Sequence, residues 1–60
     1  MGLLTATEAA YYLEFMTDAF KAGDPREVNQ LVQEIKSKAG SIGVAYEIIE
    51  LVKMELAKSA

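Results

Sequence analysis

Glycine and proline punctuation decides what this chain can fold into. Gly23-Asp24-Pro25 and Gly40-Ser41-Ile42-Gly43 divide it into three segments, and within each segment the apolar residues recur at the three- and four-residue spacing of an amphipathic helix. No segment alternates with period two, so nothing reads as a strand. Short connections make sequential helices pack antiparallel. The expected fold is all-α: one small domain over residues 1–60, a three-helix antiparallel hairpin or bundle with helices at about 5–22, 24–39 and 44–58.

Each helix carries its own local signals. The hydroxyl of Thr5 is placed to cap the first, with Glu8 three residues on to complete a capping box. Ala9, Leu13, Met16 and Phe20 form its stripe, and Tyr12, Phe15 and Ala19 widen it enough to predict more than one neighbour. Gly23 ends it, glycine being the residue that reaches positive φ without steric cost. In the second helix Asp24 is a strong N-cap, Pro25 sits where its missing N–H does no harm, and Glu27 completes an Asp-x-x-Glu capping box. Val28, Leu31, Val32, Ile35 and Ala39 make its stripe, with Lys36 and Lys38 opposing the helix dipole in the last turns. Two glycines three apart each cost about 1 kcal/mol inside a helix, which predicts a turn through Gly43. The third helix then shows Ala45, Ile48, Ile49, Val52 and Leu56 as its stripe, broadened by Leu51.

A chain of 60 residues buries only about 60% of the surface its unfolded form exposes, so a lone core is marginal. With no Cys and no His, neither a disulfide nor a zinc site can reinforce it. Self-association or a protein partner is the remaining supplement, and a hydrophobic content of 52% favours it. The expected contact is an apolar groove between the first and third helices, formed by Leu13, Met16, Phe20, Ile49, Val52 and Leu56, which buries a partner's apolar stripe or completes the bundle by oligomerisation.

Several function classes are disfavoured by composition. A net charge of −3 with six scattered basic residues offers no basic patch for nucleic-acid phosphates. No apolar run approaches the length of a membrane span, and the N-terminus lacks the features of a signal peptide, so the expectation is a cytoplasmic protein with no membrane association. Without His or Cys, catalysis is poorly provisioned: the carboxylates fall in solvated helix pairs such as Glu50 and Lys53, and Asp24 and Glu27 read as caps rather than metal ligands. We therefore expect no enzyme, no catalytic residue, no metal and no cofactor. Tyr11, Tyr12, Phe15 and Phe20 read as core, as do Met16 and Met54, whereas Tyr46 is the aromatic expected at an exposed interface.

One longer pattern remains. Gly23-Asp24 opening a helix, Ile35-Lys36, the small run Ala39-Gly40-Ser41 and the closing Ile42-Gly43-Val44 resemble, at family spacing, the histidine phosphotransfer domains of phosphorelays. The resemblance spans roughly residues 11–57, three helices of that family's four-helix bundle, and Met54-Glu55 falls where the family often has Leu-Glu. Gln33 stands where the family places its phosphoacceptor histidine, and an amide nitrogen is no nucleophile for phosphoryl transfer. Ser37 replaces the glycine that lets a receiver domain approach. The resemblance thus implies a phosphotransfer-like module that cannot carry phosphate, with Gln33, Lys36 and Ser37 as its polar docking face. A second similarity, of Phe15-Met16, Gly23-Asp24-Pro25, Gly40 and Val44-Ala45 to helix-turn-helix antitoxin repressors, implies the alternative of a small DNA-binding regulator. It dissolves past Glu47, where that family turns again and this chain continues as an apolar stripe. The sequence reading is a non-catalytic helical module for protein–protein interaction or regulation.

Overall fold

The computed structural model describes residues 4–59; residues 1–3 and 60 of the expected domain lie outside the described residues. Three helices, α1 (Ala6–Ala22), α2 (Pro25–Ala39) and α3 (Ile42–Ser59), each pack against both others, and there is no strand among the described residues. Lys38 near the end of α2 reaches Glu8 near the start of α1 at 3.7 Å, which sets these two helices antiparallel. Leu13 and Lys21 of α1 share a cleft with Glu55 and Leu56 of α3, so the later halves of α1 and α3 lie together.

The helix ends show why the chain breaks where it does. Thr5 Oγ1 accepts the Glu8 N–H at 3.1 Å while the Glu8 carboxylate accepts the Thr5 N–H at 3.0 Å, the full capping box. Gly23 takes φ 66°, and two bonds close α1 behind it: Gly23 N–H to Phe20 O and Asp24 N–H to Ala19 O, both 3.1 Å. Asp24 then caps α2 by accepting the N–H groups of Arg26 and Glu27. Glu27 does not supply the reciprocal half of the expected box, because the Asp24 N–H it would need is already bound to Ala19.

Gly40 ends α2 at φ 71°, and α3 begins at Ile42 rather than Val44. The expected turn through Gly43 is therefore too long. Ser41 Oγ accepts the Gly43 N–H at 3.1 Å, satisfying a donor that the first turn of a helix leaves open, and this lets α3 start two residues early with Gly43 inside it.

The core draws Tyr12, Met16 and Ala19 from α1, Leu31, Val32, Ile35 and Ala39 from α2, and Ala45, Ile48 and Val52 from α3. Met16, Ile35 and Val52 are its largest fully enclosed side chains. Three residues read as core, or as part of a broadened stripe, lie outside it: Phe15 is 48% exposed, Leu51 49% and Met54 56%. Tyr11, also read as core, is exposed as well. The reason is geometric. A helix in a three-helix bundle has neighbours on one side only, and a residue two positions from Val52 sits roughly 200° around the helix from it.

Candidate functional site

Three surfaces stand out: a polar face of α2, the cleft between α1 and α3, and the outer side of α3. On α2, Gln33, Lys36 and Ser37 are all exposed. Their i, i+3, i+4 spacing sets them side by side, on the face opposite buried Leu31 and Ile35. The residues of the expected docking face are thus neighbours in solvent.

The groove expected between α1 and α3 is different from its prediction. Met16 and Val52 are 0% exposed and have no surface to offer a partner, because α1 and α3 pack directly on each other and seal the seam there. Leu13, Phe20, Ile49 and Leu56 are partly buried around that core. Phe20 lines a recess by the α1–α2 turn, with Pro25 and Val28. Leu13 and Leu56 remain at the base of an open cleft rimmed by Glu14, Lys21 and Glu55. Thr17, also in its wall, has its hydroxyl tied back to Leu13 O at 2.7 Å.

The surface that sequence reasoning missed is the outer side of α3. Tyr46, expected to be exposed, is 56% open. Leu51 and Met54 are open as well, Ile42 is exposed on the opposite flank of the helix from Leu51, and a shallow recess between Gly43, Tyr46, Glu47 and Leu51 marks where the glycine lacks a side chain. The signal was present in the sequence: Leu51 and Met54 fall outside the Ala45-Ile48-Val52 stripe, so α3 is apolar on two sides, a pattern that belongs to a helix covered all round.

No polar or charged side chain is buried among the described residues, and desolvation is one of the main ways a site activates an acid, base or nucleophile. The described residues also hold no group of three His, Cys, Asp or Glu side chains arranged for a metal. Glu8 does titrate away from its ordinary value: the hydrogen bond from the Thr5 N–H, helped by the Thr5 side chain and the Lys38 charge, holds its carboxyl low. That arrangement is a helix cap, not a reactive centre.

No family model, curated protein or solved structure matches the chain. The functional reading rests on the three surfaces themselves. Of these, α2 offers hydrogen bonds and charge, the α1/α3 cleft offers two half-buried leucines, and α3 offers large apolar side chains in the open. No helix among the described residues is long and apolar enough to cross a membrane.

Proposed function

We propose that this chain is a non-catalytic interaction module that completes its core by pairing with a second copy through the outer side of α3. The observation that carries the reading is the exposure of Leu51 and Met54 on one side of α3, in a chain too small to waste apolar surface. The register supports a second copy. Glu47, Leu51, Met54 and Lys58 fall within about 60° of one another around α3. In an antiparallel two-fold pair, Leu51 of each copy lies opposite Met54 of the other, and Glu47 lies opposite Lys58. Apolar residues meet in the middle and opposite charges meet outside them, the pattern of a self-complementary interface. Light scattering after size exclusion, with melting followed over a hundredfold range of concentration, tests it. A dimer whose melting temperature rises with concentration is expected; a monomer at high micromolar concentration with an invariant transition refutes it.

The resemblance to histidine phosphotransfer domains supplies a second reading, favoured by the shared solvent face of Gln33, Lys36 and Ser37. Under it the protein binds a receiver-like domain without accepting phosphate. A phosphodonor should leave the chain unlabelled, and Ser37→Gly should tighten receiver binding by removing a side chain from the contact. Chemical shift changes on α2 support this reading; failure of every receiver tested removes it. The DNA-binding alternative has less to stand on, because α3 runs unbroken from Ile42 to Ser59, where a helix-turn-helix would turn.

A further inference from the structure

The seam between α1 and α2 forms a groove with two unlike halves. Toward Glu8 its wall is aromatic: Tyr11 and Phe15 lie nearly parallel, 14° between planes and 6.3 Å between ring centroids. Phe15 also meets Tyr12 edge-on at 6.4 Å. Because Tyr12 is buried, this contact holds the half-exposed Phe15 ring in place. Toward the Gly23 turn, on the other side of Phe15, a second recess runs over Ala22 between Asp18, Asp24 and Glu27.

Charge is concentrated here. Five of the nine acidic residues, Glu8, Asp18, Asp24, Glu27 and Glu34, line the groove against one of the six basic ones, Lys38, giving −4 in a chain whose total is −3. The single lysine already faces Glu8 at 3.7 Å. Asp18, Glu27 and Glu34 have no cation at ion-pair distance among the described residues. The N-terminus of α2 offsets about half a charge at the Asp24 end, too little to neutralise three carboxylates.

We infer that this seam binds a partner helix that is amphipathic and basic, with its Lys or Arg residues gathered at one end. That end lies over Asp18, Asp24 and Glu27, and an apolar or Arg side chain further along rests on the Tyr11 and Phe15 rings. Aromatic faces take both kinds of contact, since they bury apolar area and attract a guanidinium. Two antiparallel helices present a groove of the form that an amphipathic helix fills. A second copy does not fit it: seam against seam sets like charges together, and the basic residues outside the seam, Lys21, Arg26, Lys36, Lys53 and Lys58, are spread over three helices rather than grouped at one end of one. The inference rests on the interaction-module reading but uses a different face from α3.

Three helix-forming peptides of about 15 residues, long enough to follow most of α1, serve as probes. The first has Leu on one face and Arg grouped at its N-terminal end, the second the same residues with Arg grouped at the C-terminal end, and the third has Glu in place of Arg. Anisotropy titrations should show saturable binding of one Arg peptide in preference to the other, weakening with salt, and none of the Glu peptide. Phe15→Ala and the near-isosteric pair Asp18→Asn with Glu27→Gln should each weaken binding about tenfold or more, with helicity checked by circular dichroism. NMR shifts should fall on Tyr11, Phe15, Ala22 and Glu27. Absence of saturable binding by both Arg peptides, equal affinity for the two, shifts confined to α3 or α2's outer face, or indifference to both variants overturns the inference. Light scattering on the same samples keeps the readings apart: loss of peptide binding with the dimer intact removes only this seam, and a monomer that still binds peptide removes only the α3 interface.

Discussion

The backbone N–H of Asp24 donates to the carbonyl of Ala19 at 3.1 Å, closing α1, while the Asp24 carboxylate accepts the Arg26 and Glu27 N–H groups that open α2. One residue therefore finishes one helix with its main chain and starts the next with its side chain. The link leaves no slack between α1 and α2, and it fixes the register in which Glu8 meets Lys38 at the far end.

Asp24→Ala removes only the side-chain half of this joint. We expect it to destabilise the protein by roughly 0.5–2 kcal/mol, the usual value of an N-cap, and Asp24→Asn to cost much less because an amide oxygen still accepts. Gln33→Ala, on the exposed side of the same helix, should stay within about 0.5 kcal/mol. Urea melts of the three variants decide it; equal losses at positions 24 and 33 would contradict the placement of the cap.

Gly23, in the turn between α1 and α2, and Gly43, in the first turn of α3, should respond differently. Gly23 has φ 66°, yet a side-chain carbon built on it meets nothing within 4 Å. The cost of Gly23→Ala is then backbone strain alone, about 1 kcal/mol. At Gly43 such a carbon comes to 3.3 Å from Ser41 Oγ, and the exposed hydroxyl can turn aside. The loss of its cap bond is offset by alanine's helix propensity, worth up to about 1 kcal/mol over glycine, so Gly43→Ala should be neutral within about 0.5 kcal/mol. Melting curves of both variants, compared at one protein concentration, give the answer.

How much of this was legible in the sequence differs from helix to helix. In α2 nearly everything was: Asp24 and Pro25 mark its start, Gly40 its end, and its stripe is the buried set except for half-buried Val28. Polar residues fill the rest of that helix, so the apolar face has sharp edges. In α1 and α3 apolar residues overrun the buried face, and periodicity cannot say which edge of a wide stripe a neighbour covers. Phe15 and Leu51 lie on such edges, and Met54 lies beyond them, on the far side of α3 from Val52. At Gly43 helix propensity alone points to a turn, whereas the Ser41 hydroxyl accepts the Gly43 N–H and satisfies the early turn of α3. The Glu8–Lys38 pair depends on how two helices align across a turn, which no local pattern states.

Glu8 makes stability depend on pH with a definite sign. Its carboxyl titrates below its ordinary value, chiefly because it accepts the Thr5 N–H. A folded-state pKa lower than the unfolded one contributes stability that is present above the unfolded value and is lost as pH falls through the folded one. Between about pH 7 and about pH 3 the wild type should lose more stability than Glu8→Gln, and the two should converge at the acid end. Urea melts across that range, with the Glu8 side chain followed by NMR, check it; parallel curves would show that the capping carboxylate is not linked to folding.

The core leaves little margin. Ile35 is completely enclosed in the centre of α2's buried face. Ile35→Val should cost about 0.5–1.5 kcal/mol and remain foldable, whereas Ile35→Ala, at about 2–5 kcal/mol, approaches or exceeds the few kcal/mol that a single core of this size supplies. Circular dichroism should show a lowered melting temperature for the first and a largely unfolded chain for the second. A well-folded Ile35→Ala variant would mean that the bundle draws more stability from association than from its own interior.

Association through α3 has a test that depends on register rather than on hydrophobicity. If Leu51 of one copy lies opposite Met54 of the other, then Glu47 lies opposite Lys58 twice in each dimer. Glu47→Lys places two lysines together at both ends and should weaken the dimer. At about 0.5–1 kcal/mol for each partly exposed pair, the combined change is roughly 5- to 30-fold in dissociation constant. Lys58→Glu should do the same with two glutamates. The double variant rebuilds both pairs with the signs exchanged, so its dissociation constant should return close to the wild-type value, measured by sedimentation equilibrium. Leu51→Lys, by contrast, places an unpaired charge in the apolar centre and has no such rescue. Additive losses in the Glu47→Lys/Lys58→Glu variant would show that the copies do not meet in this register, even where each single change weakens association.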